Sequence, residues 1–398
     1  MEVAAPFLDP RILARQLGLA FGDNEALSAL EDRMEAVCAS IEALGVDESD
    51  EHAATRAYIG ALAEADLIGL LVPAAYGGAF ETVRSTPICI ARQWLARSSG
   101  ALDTAFVMQG LGSYPVTLAG SDALKARLLP EVAAGNAIAA FALTEPGAGS
   151  DASGMTTTLT PTADGGATLS GTKCFISNAG VADSYVVFAR EGGGDPEAAP
   201  KYCAAWIPGD AAGLEIEPSH VIAPHAIGSM HMNNIVVPPE HRLGQPGDGL
   251  KLALSTLEVF RVTVGAAALG FADRALTEAL GHLSTRVQFG KPLAKQQGLR
   301  FALADVATEH LAAQLLVYRA ALARDAGYTG ADKVAMAKLF ATESAQRVVD
   351  RAVQSLGGLG VTVGERTERL YREVRALRIY EGTSEIQKLV IARSLFGR

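Results

Sequence analysis

Between residues 139 and 244 the chain abandons the spacing that governs the rest of it, and that switch constrains the fold more than any single motif. Upstream, apolar residues return every three or four positions, as at Ile59, Leu62, Ala63, Leu67 and Leu70, the period of one helix face. Inside the window they form short runs at 185–189, 204–207 and 234–237, bounded by Gly, Pro and Asp, which read as strands. After Gly249 helical spacing resumes in four blocks, about 250–283, 297–326, 331–356 and 383–395, and four such helices suggest a bundle. The expected architecture is mainly α with a central β domain. Its domains are helical over 1–138, β over 139–245 and a four-helix bundle over 246–398.

With 398 residues, 49% of them hydrophobic, the chain can bury a substantial core. A formal net charge of -10 argues against a nucleic-acid partner, because phosphate binding needs clustered Lys and Arg. Cys38, Cys89, Cys174 and Cys203 are scattered, with no CxxC pair or metal-ligand spacing, and read as reduced thiols of a cytoplasmic protein. Residues 1–19 lack the pattern of a signal peptide, no 18-residue apolar run is free of charge, and no membrane association is expected. The histidines form no HExxH or other metal pattern; His225 and His231, close in sequence, read as loop or strand residues.

Three segments carry residues suited to a ligand. In 144–151 (TEPGAGSD), glycines let backbone N–H groups approach a ligand while Thr144 and Ser150 add hydroxyls, although the same composition serves a tight interdomain turn. In 171–178 (GTKCFISN), strand alternation puts Phe175 and Ser177 on one face, where both could meet a flat cofactor; taken alone, Phe175 reads better as core. In 286–292 (RVQFGKP), the fork of Arg286 could grip a pyrophosphate or simply end a helix in solvent. Neither this segment nor 354–360 (QSLGGLG) is a nucleotide-binding fingerprint.

Two charged residues stand apart. Arg261 is the sole charge from Val259 to Phe271, so burial would oblige it to find a carboxylate or phosphate, whereas a surface position would let it snorkel. Glu381 sits between Tyr380 and Gly382 just before the last helix, a setting that suits a catalytic base. Without its context it reads better as a solvated acid near a helix start.

Taken in order, 72–78 (VPAAYGG), 144–151, 171–178, 286–293, and 354–360 followed by 380–387 (YEGTSEIQ) resemble the acyl-CoA dehydrogenase family over nearly the whole chain. The resemblance implies an N-terminal helical domain, a middle β-barrel-like domain, a C-terminal four-helix bundle, bound FAD and a homo-oligomer, tetramer or dimer. By the same analogy Thr144 and Ser150 would lie along the flavin and the entering thioester, and Phe175 and Ser177 would contact the flavin ring. Arg286, Gln288 and Phe289 would bind the FAD of a neighbouring subunit, with Gln354, Gly358, Thr383 and Glu385 around its ADP portion. Glu258, Arg261, Tyr380 and Gly382, with Ser150, would line the acyl-CoA channel. Thr383 can cap the last helix, whose free N–H groups favour an anionic pyrophosphate.

The implied reaction is α,β-dehydrogenation of an acyl-CoA to the trans-2-enoyl-CoA in fatty acid metabolism. Glu381 would take the pro-R α-proton, flavin N5 would take the β-hydride, and electrons would pass to an electron-transfer flavoprotein. Desolvation of the carboxylate and hydrogen bonds to the thioester carbonyl would make so weak a base sufficient. Two departures from the family pattern stand out. Phe175 replaces a common Trp, and 223–228 (APHAIG) replaces the usual turn with arginine and serine or threonine. Phe260 occupies the position where some branched-chain members carry their base. Rival readings are an acyl-carrier-protein-linked dehydrogenase, a flavin oxidase or monooxygenase on the same fold, and a non-catalytic or DNA-associated relative.

Overall fold

The computed structural model describes residues 24–193, 199–328 and 330–397. The N-terminal stretch 1–19 lies outside the described residues. The chain is mostly helical with one central sheet, and it divides into two compact units. The helical unit comprises, among the described residues, 24–43, 85–103 and 261–397; the sheet unit comprises Leu44–Arg84 and Thr104–Phe260.

Among the described residues five helices precede the sheet: α1 (Asn24–Ala43), α2 (Glu51–Glu64), α3 (Ser85–Ser98), α4 (Gly100–Ala119) and α5 (Asp122–Ala133). Their starts follow from capping chemistry. The Asp50 carboxylate accepts from the Ala53 N–H at 3.0 Å, and the Ser121 hydroxyl accepts from the Leu124 N–H at 3.2 Å. Five more follow the sheet: α6 (Gly249–Thr285), α7 (Gln297–Asp325), α8 (Ala331–Leu356), α9 (Arg366–Val374) and α10 (Ser384–Phe396). Four of these match the blocks read from spacing to within a residue or two.

In the helical unit α7 runs along α8, and α9 and α10 also lie against α8. Helix α6 is long and apolar enough to cross a membrane, but 78% of its most apolar window is buried inside the protein, as in a core helix. It approaches α3 so closely that a Cβ on Gly270 would lie 2.2 Å from the Gln93 carbonyl oxygen. A buried polar chain joins α3, α6 and α7. The Tyr318 hydroxyl donates to Gln93 Oε1 at 2.7 Å, Gln93 Nε2 donates to Asp273 at 2.7 Å, and His310 Nε2 meets the other Asp273 oxygen at 2.7 Å. Gln93 and both Asp273 oxygens therefore have partners, as burial requires.

In the sheet unit eight strands form one ladder: β1 (Ala139–Ala142), β2 (Thr158–Pro161), β3 (Ala167–Ser177), β4 (Ser184–Glu191), β5 (Tyr202–Pro208), β6 (Leu214–Pro218), β7 (Ile227–Val237) and β8 (Arg242–Leu243). The path runs β6-β7-β3-β2-β4-β5-β8, with β1 paired to β4. β1 and β2 run parallel to β4, and the other pairings are antiparallel. The β3–β7 register shifts between Lys173 and Ile176, where Phe175 takes a positive φ of 55°. All four cysteines are buried free thiols, and burial raises the pKa of Cys38 and of Cys203 to about 12.

Candidate active site

Just before α10, Glu381 (φ 53°) and Gly382 (φ 94°) take the left-handed conformation in succession. Such a bend cannot continue a helix, so its carbonyls must find other donors. Arg261 Nε, from α6, donates to the Glu381 carbonyl at 3.0 Å. Lys338 Nζ, from α8, donates to the Gly382 carbonyl at 2.8 Å, and Gln387 Nε2, from α10, donates to the same oxygen at 2.9 Å. Helix α10 then starts at once, because the Thr383 hydroxyl accepts from the Ile386 N–H at 3.3 Å. Arg378 and Ser384, on either side of the bend, both donate to Glu343 of α8, at 2.9 and 2.6 Å.

Glu381 is held by its main chain and left free at its tip. Its Oε2 is buried without a hydrogen-bond partner. Burial raises the carboxyl pKa; the positive charges of Arg92, Arg261 and Lys338 pull it down, and the negative charge of Asp103 adds to the rise. Arg92 is itself committed to Asp103 through two hydrogen bonds, of 2.8 Å from Nε and 2.6 Å from Nη2, and its Nη1 donates to Thr263 at 3.0 Å. Tyr380 keeps 38% of its surface open, yet its hydroxyl lies deep beside Arg92 and burial pushes its pKa well up.

Arg261 is buried, which settles the choice left open by sequence between a buried fork and a snorkelling surface residue. Glu258, three residues earlier on the same helix, is exposed. Arg286, Gln288 and Phe289 sit on a hairpin of β9 (Val287–Gln288) and β10 (Lys291–Pro292). Its two turn residues, Phe289 and Gly290, both have positive φ, as a two-residue type I′ turn demands. The turn holds the Phe289 ring 93% exposed. Gln354, Gly358 and Glu385 are exposed as well, and Thr383 is half-buried.

In the sheet unit Thr144 and Ser150 frame a turn that Glu145 and Ala148 close with two backbone hydrogen bonds of 3.0 and 3.1 Å. The turn is braced from below by a buried ion pair. Lys173 Nζ donates to Glu145 Oε1 at 2.8 Å and to the Leu143 carbonyl at 2.9 Å, and Glu145 also accepts from the Thr156 and Thr157 N–H groups at 2.6 and 3.0 Å. Burial alone would raise the Glu145 pKa, but the Lys173 ammonium and the threonine donors outweigh it and bring the value to about 2. Glu145 is therefore charged at neutral pH.

Phe175 is 65% exposed, which overturns the core position favoured by composition. The register shift explains it, since a positive φ at Phe175 turns the ring outward while Cys174 and Ile176 stay buried. Ser177 meets His225 Nε2 at 2.9 Å, and His225 Nδ1 meets the Ala223 carbonyl at 2.8 Å. A carbonyl only accepts, so Nδ1 carries the proton; burial lowers the His225 pKa and keeps the ring neutral, so Ser177 donates to Nε2. Among the described residues no group of three or more His, Cys, Asp or Glu is placed to hold a metal ion.

The residues suit FAD in both chemical halves. An outward aromatic ring with a hydroxyl two residues on, Phe175 and Ser177, offers a face and a polar contact for a flat heterocycle. A helix start capped by Thr383 and an exposed Gly358, where a Cβ would meet nothing within 4 Å, leave backbone open to a pyrophosphate. Spacing alone did not single out Lys338, Gln387 or Arg92. Lys338 had the same signal as Arg261, being the sole charge between Val334 and Thr342.

Comparison with known proteins matches residues 24–136, 140–235 and 247–396 to the N-terminal, middle and C-terminal domains of acyl-CoA dehydrogenase. An acyl-CoA dehydrogenase of Bacillus subtilis (strain 168) is 37% identical over 337 residues, covering 83% of this chain and 87% of that protein. The glutaryl-coenzyme A dehydrogenase glutaryl-CoA complex superposes with a TM-score of 0.86 at 29% identity, covering 95% of this chain and 96% of the other. An acyl-CoA dehydrogenase complexed with FAD from Bacillus anthracis superposes with a TM-score of 0.81 at 27% identity, covering 100% of this chain and 69% of the other. The chain belongs to the acyl-CoA dehydrogenase family of FAD-dependent oxidoreductases.

Proposed function

We propose that the protein removes a proton from the α-carbon and a hydride from the β-carbon of an acyl-CoA thioester, releasing the trans-2-enoyl thioester, with Glu381 as the base. The observation that supports this most is the buried, unpartnered Oε2 of Glu381, set among three cationic side chains. A carboxylate oxygen withheld from water and from every donor is poised to accept a proton from carbon, because a new bond to hydrogen relieves its desolvation.

FAD, when bound, supplies the acceptor for the hydride. The rest is the work of the chain. Arg261, Lys338 and Gln387 hold the 381–382 carbonyls, so the carboxylate keeps its direction as the proton arrives. The Glu381 N–H would donate to the thioester carbonyl, where negative charge grows as the α-proton leaves. Phe175 and Ser177, with Thr144 and Ser150 on the braced turn, would hold the flavin and the thioester; Thr383, Glu385, Gln354 and Gly358 would hold the ADP portion. The exposed Phe289 ring, with Arg286 and Gln288 beside it, would complete the cofactor site of a second copy in a homo-oligomer, and an electron-transfer flavoprotein would reoxidise the enzyme.

Anaerobic titration of the purified protein with a panel of acyl-CoAs, followed by flavin absorbance, tests the reading. At least one acyl-CoA should bleach the flavin, and Glu381→Gln should keep its FAD yet fail to bleach. Wild-type bleaching by that variant would remove Glu381 from the mechanism. Bleaching by an acyl-carrier-protein thioester alone would replace the CoA handle.

A further inference from the structure

Lys338 is a fully buried lysine that the reaction as described uses only as a hydrogen-bond donor. Its ammonium carries three N–H bonds. Among the described residues, Nζ makes one hydrogen bond, to the Gly382 carbonyl, and no ion pair within 4 Å. A brace for one carbonyl does not call for a buried charge, since Gln387 already donates to the same oxygen and a neutral side chain would avoid the desolvation cost. The bend that Lys338 grips carries the complementary shortfall, a buried carboxylate oxygen with no donor. An under-satisfied cation and an under-satisfied anion therefore belong to the same left-handed dipeptide, one bound at the Gly382 carbonyl and the other carried by Glu381.

We propose that Lys338 is a positioning residue for Glu381: it anchors the Gly382 carbonyl, and its charge offsets the burial of the neighbouring carboxylate so that the base is ionised before substrate arrives. This rests on the reading of Glu381 as the base. The other charged groups around the pair are Arg92 of α3, Asp103 of α4 and Arg261 of α6 toward Glu381, and Arg261, Glu343 of α8 and Glu385 of α10 toward Lys338. Arg92 is already neutralised by Asp103, and Glu343 is engaged by Arg378 and Ser384. Lys338, whose ammonium makes its one hydrogen bond to a neutral carbonyl, is left with its charge unmatched by a paired carboxylate. Burial lowers the Lys338 pKa to about 8, so the charge is present at neutral pH and lost just above it.

The test is the pH profile of kcat/KM for Lys338→Gln, which keeps an N–H for the carbonyl, and Lys338→Met, which does not. Loss of the cation should move the acid limb upward by about one pH unit, so that activity below neutral pH falls about tenfold. The profiles should converge with wild type above about pH 8, where Lys338 has itself discharged. A purely mechanical brace would lower the rate by one factor at every pH, and that result, or superimposable profiles, would overturn the proposal. Should Lys338→Met fail to fold, Lys338→Gln carries the test.

A second readout is independent of turnover. A double-mutant cycle in unfolding free energy between Lys338→Gln and Glu381→Gln should show a favourable coupling at neutral pH that fades above about pH 8. Zero coupling would sink the electrostatic pairing even if Glu381 is the base. Measurable coupling together with an active Glu381→Gln enzyme would instead retain the pair and remove its catalytic purpose.

Discussion

Arg92 and Asp103 face each other as fork to carboxylate, joined at 2.8 and 2.6 Å, with side chains only 1% and 3% exposed. Breaking a buried pair on one side leaves an uncompensated charge. Asp103→Asn should therefore cost about 3 to 5 kcal/mol of stability, read from urea unfolding. It should also shift catalysis in the sense opposite to the Lys338 variants. The negative charge of Asp103 raises the Glu381 pKa, so its removal should move the acid limb of kcat/KM to lower pH. An upward shift would mean that Arg92 has left the neighbourhood of the base.

The Glu145–Lys173 pair makes a prediction about stability and pH. The folded pKa of Glu145 is about 2, below the usual carboxylate value near 4.3, so its stabilising contribution is fully present above the unfolded value and is lost as pH falls through about 2. Glu145→Gln should destabilise the protein at neutral pH by about 3 kcal/mol, because Lys173 is left buried without its counter-charge. It should also flatten the decline of stability in acid, as checked by thermal unfolding across that range. An equally steep decline would show that other carboxylates govern acid unfolding.

Gly382→Ala probes the bend. The residue has φ 94°, a conformation that strains side chains, and the new Cβ would stand 2.6 Å from Gln387 Nε2. The Gln387 amide can retreat only by giving up its bond to the Gly382 carbonyl. The substitution should cost about 1 to 3 kcal/mol and lower kcat more than it raises KM, since it disturbs the carboxylate and leaves most substrate contacts in place. Steady-state kinetics with thermal melts would check both parts; an unchanged kcat would show that the bend tolerates a side chain.

How far the fold was legible depends on which interactions were local. Helix α8 was readable to the residue, because Val334, Ala335, Ala341, Ala345, Val348 and Val349 recur on one buried face. Glu381 was legible as a candidate because Tyr380, Gly382 and Thr383 flank it within a few residues. Taken alone, Phe175 read as core because phenylalanine is usually buried, and nothing in its neighbours announces the register shift at which its ring is exposed. Lys338, Gln387 and Arg92 escaped notice because their meaning arises only when segments far apart in sequence deliver them to the same bend.

The carbonyls of the 381–382 bend take their hydrogen bonds from side chains at positions 261, 338 and 387, so the shape of the bend is lent to it by three separate helices. A feature of that kind exists only after those helices have docked, and it relaxes as soon as any one of them loosens. On warming, the base should lose its aim while the bulk of the helices is still intact, so heat inactivation runs ahead of the melting transition. Tolerance of the enzyme to temperature would then be improved by tightening the contacts among α6, α8 and α10, and little by reinforcing the protein elsewhere.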